Sequence, residues 1–258
     1  MKPTLRPLIT MALTLRTCSR LCVLASLGTA IALATPFAAS AQGDEAPKPV
    51  ADLKPGTANY DAHFEINGRL VPLEYTRTTK AQGGGWLVVE TVKMASYTAI
   101  DSALVARKTL IPRRRAFRDP TAAVDLQFVG RRVSGTIVSK GQTIPIDADM
   151  GGVPFADGPA GPDAVAALPL SQGYTTEFRT FDANTRQVSP VQLRVLGSDT
   201  VTVPAGTFTT WKVLTIAADG GAGETAAMWI DKKSRRVVKM ATTLLGRNEM
   251  VATLELTR

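Results

Sequence analysis

Cysteine is almost missing from this chain. Cys18 and Cys22 are the only two, both near the start. The remaining polypeptide has no disulfide to staple it and no thiolate to bind metal, so its stability must come from a packed core. Histidine is as scarce: His63 stands alone. A Ser-His-Asp triad could use only that residue, and neither Gly-x-Ser-x-Gly nor Ser-x-x-Lys occurs beyond the first forty-one residues. Zinc would need a site built mostly of carboxylates, which it rarely accepts alone. His63 sits between Ala62 and Phe64 on the polar side of a predicted strand, and reads as a surface or pairing residue. No glycine loop that could cradle phosphate precedes a helix. Asp147-x-Asp149-x-Gly151 starts like a calcium loop but lacks the third acid and the closing glutamate. No catalytic residue, no metal and no cofactor is therefore expected.

Long apolar runs are also absent after residue 34, so no later segment is expected to cross a membrane. The one run present, Leu21 to Ala34 (LCVLASLGTAIALA), follows Lys2, Arg6, Arg16 and Arg20 and precedes Pro36 and Ala39-Ser40-Ala41. Basic start, short apolar stretch and small-x-small site form the layout of a secretory signal peptide over 1–41. Cys22 follows Ser19-Arg20-Leu21, which lacks the small residues of a lipoprotein signal. A soluble periplasmic protein is expected, without a lipid anchor. Removal of 1–41 takes both cysteines and four of the 30 basic residues but none of the 22 acidic ones, lowering the net charge from +8 to +4. An exported chain with so modest an excess is not expected to bind nucleic acid.

The rest of the chain is dominated by period-two alternation. Residues 42–57 (QGDEAPKPVADLKPGT) are polar and proline-bearing, and read as a flexible leader. From Tyr60 onward Tyr60, Ala62, Phe64 and Ile66 alternate with polar partners before the hairpin signal Asn67-Gly68. Trp86, Val88, Val92 and Met94 share a face, as do Val124, Leu126 and Phe128, then Val191, Leu193 and Val195. Met250, Ala252, Leu254 and Leu256 continue the pattern almost to the end. Such alternation implies antiparallel strands with one dry face. The fold class is all-β, a curved antiparallel sheet or open barrel of roughly ten to fourteen strands, judged from turn signals about every 8–12 residues. Residues 150–162 (MGGVPFADGPAGP) form a loop, and Pro162 to Leu168 predicts one short helix. Residues 58–258 are read as a single β domain, or as two lobes joined by the 150–162 loop.

The stretch Thr200 to Thr215 (TVTVPAGTFTTWKVLT) is the most patterned. Pro204 presets a turn, and Gly206 supplies positive φ, predicting a three-residue hairpin loop closed by a glycine bulge. Turn chemistry accounts for every residue of that corner. The run VTVPAGTFTTWKVLT, with MWIDKKSRRVVKM and ALPLSQGY, resembles the signature of an exported bacterial domain of unknown function family, number 3108, over about Ala164 to Met240. That family is similar to the lipoprotein-carrier superfamily of LolA and LolB. The resemblance implies a curved sheet forming an open barrel around acyl chains, and carries over no catalytic residue.

Two groups of side chains are candidate contacts. Trp86, Trp211 and Trp229 are candidates for lining a ligand cavity, against the alternative of ordinary core. Arg113, Arg114, Arg115 and Arg118 lie in the most basic stretch and are candidates for meeting anionic headgroups or a partner. The alternative is an edge strand protected by charge; as a strand, Arg113 and Arg115 would share one face and Arg114 and Arg118 the other. The sequence thus points to a non-catalytic protein holding a lipid or acyl chain in its hollow. The second reading is a cell-envelope interaction module using the arginines or a sheet edge.

Overall fold

The computed structural model describes residues 45–66, 68–95, 97–218, 225–244 and 250–258. The expected signal peptide and Asn67 of the expected Asn67-Gly68 turn lie outside the described residues. Fourteen strands form one antiparallel sheet. The first eight are β1 (Gly56–Ile66), β2 (Arg69–Gln82), β3 (Gly85–Met94), β4 (Tyr97–Ala106), β5 (Pro112–Arg118), β6 (Ala122–Val129), β7 (Arg132–Ser139) and β8 (Gln142–Asp149). The other six are β9 (Thr175–Asp182), β10 (Gln187–Val203), β11 (Gly206–Ala217), β12 (Thr225–Asp231), β13 (Val237–Leu244) and β14 (Met250–Leu256).

Each strand pairs with its neighbours in sequence, with two exceptions. β1 pairs with β14, Tyr60 opposite Leu256, so the two ends of the chain meet in the middle of the sheet. β8 and β9 do not pair, and form its two edges. This all-β architecture is the expected one, and the short helix α1 (Gly161–Ala166) falls where the proline-led segment predicts it. Among the described residues no helix is long and apolar enough to cross a membrane.

Alternation supplies the buried face. Val88, Leu126, Val133, Leu193 and Val213 are fully buried, with exposed or half-buried neighbours between them. The segment 150–174 leaves the β8 edge and fills part of the hollow. Ala164, Val165, Ala166 and Leu168 pack in one cluster with Trp86, Val88, Val105, Val213 and Ile230. Arg235 donates to the carbonyls of Ala166 (3.0 Å) and Leu168 (2.7 Å), satisfying carbonyls that a short helix leaves open. The same segment covers the β9 edge: Phe155 N–H donates to Arg179 O at 3.0 Å.

Two expectations are corrected here. Residues 45–55 of the expected flexible leader are docked: Val50 N–H donates to Ala167 O (2.9 Å), Leu53 is buried, and the Trp86 indole donates to Asp52 Oδ1 at 2.6 Å. An apolar Leu53 and a buried indole N–H both gain by covering that end of the sheet. At the Pro-Ala-Gly corner Val203 pairs with Gly206, leaving a two-residue loop rather than three, although Gly206 does take positive φ (130°). Ala205 N–H donates to Leu256 O (2.9 Å), and Val203 packs with Tyr60 and Leu256. The corner folds the long β10–β11 ribbon back onto β14.

Candidate functional site

Up-and-down pairing sends alternate hairpins to opposite ends of the sheet. One end is closed by the docked leader and helix α1. The other carries the β7–β8 and β9–β10 hairpins and, among the described residues, opens into a hollow of about 830 Å³. Phe117, Val124, Ile137, Ile144, Phe178 and Met228 supply its apolar wall. Ile144 belongs to β8 and Phe178 to β9, so the hollow runs beside the unpaired seam. At its inner limit it meets side chains of a different kind: Tyr75, Glu90, Asp101 and Arg115.

Those four belong to two linked ionic groups. Arg77, almost fully buried, donates from Nε to Glu90 Oε1 (2.9 Å) and from Nη2 to the Tyr75 hydroxyl (3.1 Å). Its Nη1 has no hydrogen bond among the described residues, and lies 3.5 Å from Asp163 Oδ1. The guanidinium also lies 5.8 Å from the ring centres of both Tyr60 and Tyr75. The second group centres on Arg115, which donates from Nη2 to Asp101 Oδ2 (2.9 Å) and from Nη1 to Asp157 Oδ1 (3.4 Å). Asp157 Oδ2 accepts the Phe181 N–H at 2.6 Å. Asp157 and Asp163 come from the inserted segment, and the arginines from the sheet. The insert is thus tied to the wall by charge as well as by apolar packing.

Gly158 makes the Arg115 contact feasible. It has φ +59°, and a Cβ there would lie 2.8 Å from Arg115 Cδ. A larger residue would strain the backbone and push the guanidinium away.

Burial sets the protonation behaviour of these groups. It pushes the Glu90 carboxyl above its ordinary range, against the pull of Arg77. It raises Asp157 likewise, opposed by Arg115 and the Phe181 N–H. Burial works against charge on Arg115 too, but Asp101 and Asp157 outweigh it and hold the guanidinium firmly protonated. The phenols of Tyr60 and Tyr75 are raised by burial. These ionic groups mark the inner side of the hollow.

The tryptophans lie elsewhere. None of the three is among the residues lining the hollow. Trp86 is buried against helix α1, with Arg107 over its ring at 4.6 Å. Trp211 carries Lys232 at 3.7 Å. Trp229 donates to Asp199 Oδ2 at 2.9 Å and carries Lys212 at 5.1 Å.

The four arginines of β5 part company. Arg115 faces the hollow. Arg114 pairs with Asp125 on the outside at 2.8 Å, and Arg118 donates to the carbonyls of Phe117 and Val124. Arg114 and Arg118 thus share a face, as expected. Arg113 does not share one with Arg115: the register shifts between Leu104 and Val105, so that Arg114 opposes Leu104 and Pro112 opposes Val105, leaving Arg113 as the extra residue. Arg113 instead reaches Gly83 O at 3.4 Å. Further along the outer face Arg132 pairs with Asp147 and Arg131 with Asp149. His63 is half-buried on β1, opposite Pro72 and Thr253.

Comparison with known families is decisive for membership. A family described as protein of unknown function (DUF3108) matches residues 59–254. The chain belongs to that DUF3108 family. The match takes in the first half of the sheet as well as the patterned second half. No curated protein matches the chain. Among solved structures, a β-barrel-like protein of the DUF1849 domain of unknown function from Brucella abortus superposes with a TM-score of 0.52 at 11% identity, covering 79% of this chain and 96% of that one. At that identity the likeness speaks for the fold. A Bacteroides fragilis protein of YmcC-like fold, described as exported, covers 83% of this DUF3108 chain and 99% of its own at 10% identity, but with a TM-score of 0.28. A Parabacteroides distasonis protein described as a lipoprotein has the same coverages at 11% identity and a TM-score of 0.26. Neither of these two superpositions carries weight here.

Proposed function

We propose that this protein is a non-catalytic periplasmic binding protein that holds a hydrophobic or amphipathic ligand, a lipid or acyl chain, inside its open barrel. The observation that carries the proposal is the hollow of about 830 Å³, walled by Phe117, Val124, Ile137 and Phe178 and, among the described residues, left open at one end. Its volume lies within the roughly 300–1,000 Å³ of small-ligand sites, and its wall sets that apolar surface beside polar side chains such as Ser139, Gln142, Thr180 and Thr242. A sheet this wide must fill its interior with side chains or with a guest; helix α1 and the leader fill only one end. The signal-peptide layout of residues 1–41 supports export, and the curved sheet around a hollow supports a kinship of role with the LolA and LolB carriers.

The ionic groups support a binding role over a catalytic one. Glu90, Asp101 and Asp157 are each engaged by an arginine, so none stands ready to move a proton to a substrate. The interaction-module reading has less support, since Arg114 and Arg118 are engaged within the sheet itself.

The test is native mass spectrometry of protein purified from cells, with and without Val124→Glu. We expect a lipid-sized added mass on the native protein that is lost in the variant, whose carboxylate would enter the apolar wall. A barrel that stays empty after exposure to membrane lipid extract would refute the reading.

A further inference from the structure

Charge is distributed unevenly along the hollow. Among the described residues six charged side chains line it. Glu90, Asp101 and Arg115 stand at the inner boundary, where Arg115 is already committed to Asp101 and Asp157. With Arg77 and Asp163 included, two guanidiniums there face four carboxylates. An anionic group arriving at that depth would meet an excess of like charge in a poorly solvated place.

The open end has the opposite character. Lys140, at the tip of the β7–β8 hairpin, and Arg186, on the β9–β10 hairpin, both line the hollow and both are exposed. Neither has an ion-pair or hydrogen-bond partner among the described residues. The acid beside them, Asp182, is taken up by its own hairpin: it accepts from the N–H groups of Asn184 (2.7 Å) and Thr185 (3.3 Å) and from the Thr185 hydroxyl (2.9 Å). Two uncommitted cations thus stand at the mouth of a hollow whose far end repels anions.

We propose that the hollow takes a single-chain anionic amphiphile tail first, its carboxylate or phosphate head held at the mouth by Lys140 and Arg186. This rests on the lipid-site reading above and adds the chemistry and direction of the guest. The apolar wall from Phe117 to Met228 takes the chain, whose methyl end runs toward the inner ionic groups. A hollow of about 830 Å³ has room for one alkyl chain.

The experiment measures binding of four probes of equal chain length, below their micelle concentrations: myristate, tetradecyl phosphate, tetradecylphosphocholine and tetradecyltrimethylammonium. We expect the two anionic heads to bind about five- to tenfold more tightly than the cationic one, the scale of two partly exposed charge contacts. A larger preference for tetradecyl phosphate would name phosphate as the head, and one for myristate the carboxylate. Lys140→Ala with Arg186→Ala should abolish the anionic preference, and Lys140→Glu with Arg186→Glu should reverse it. Equal affinity for all four heads in the native protein would overturn this proposal while leaving the lipid-site reading standing. A preference that survives both double variants would overturn it too. Binding of no probe at all would sink both readings.

Discussion

Arg115 on strand β5 and Asp157 on the inserted segment meet at 3.4 Å, joining the barrel wall to the element that fills it. The second oxygen of Asp157 holds the Phe181 N–H on the edge strand β9. One carboxylate therefore links wall, insert and sheet edge.

Replacing that carboxylate separates its two duties. Asp157→Ala should cost about 1–3 kcal/mol, because it leaves the buried Phe181 N–H without an acceptor. Asp157→Asn keeps an acceptor there, and Asp101 still holds Arg115, so its cost should be clearly smaller. Urea unfolding of both variants measures the difference.

The same residue should leave a mark on the pH profile. Burial raises its folded-state pKa, so between the ordinary carboxylate value and the raised one the folded protein binds more protons than the unfolded chain. Stability contributed by this group therefore falls as pH rises through that window. Asp157→Asn removes that slope. Unfolding free energies measured from about pH 4 to about pH 7 should decline less steeply in the variant, with Glu90 contributing a remaining slope of the same sign.

Arg77 and Glu90 should behave as a unit. Removing one partner of a buried pair typically costs about 3–5 kcal/mol, since the other charge is left uncompensated. Arg77→Met is expected to fall in that range, and Arg77→Met with Glu90→Gln to be less damaging than the sum of the single changes. A double-mutant cycle by chemical denaturation reads this coupling.

Leu168, fully buried within the insert, should be among the most sensitive apolar positions. Leu168→Ala is expected to cost about 2–5 kcal/mol. By contrast Arg114→Ala, on the outer face, should cost less than about 1 kcal/mol and leave probe binding unchanged. Thermal melts of the two variants together test whether the insert or the outer charge ladder supports the fold.

Strand positions were legible in the sequence because alternation is a local signal: Val191, Leu193 and Val195 declare their face without reference to any partner. The docked leader was not legible, because the reason for Asp52 and Leu53 to be ordered is Trp86 and helix α1, far away in the chain. The inner ionic boundary left a trace that apolar patterning passes over. Glu90 interrupts the series Trp86, Val88, Val92 and Met94 at an inward position, and Asp101 does the same ahead of Ala103 and Val105. Arg77 follows Tyr75 on the same face. A charged residue at the parity of a dry face must find a buried partner, and here neighbouring strands supply it. The Arg113–Arg115 pairing failed for a different reason: one bulge resets parity, and nothing in a run of three arginines marks where the extra residue falls.

The pairing of β1 with β14 has a consequence for biogenesis. Thirteen strands can be made before the second neighbour of the first one exists, so β1 waits with one flank bare until β14 has been made. Closing so distant a contact is entropically slow, and a polypeptide halted short of Met250 would expose two raw flanks, β1 and β13, in one molecule. Such a fragment should stick to its own kind rather than persist as a smaller sheet. Seven residues, Met250–Leu256, thereby supply the partner that both flanks require.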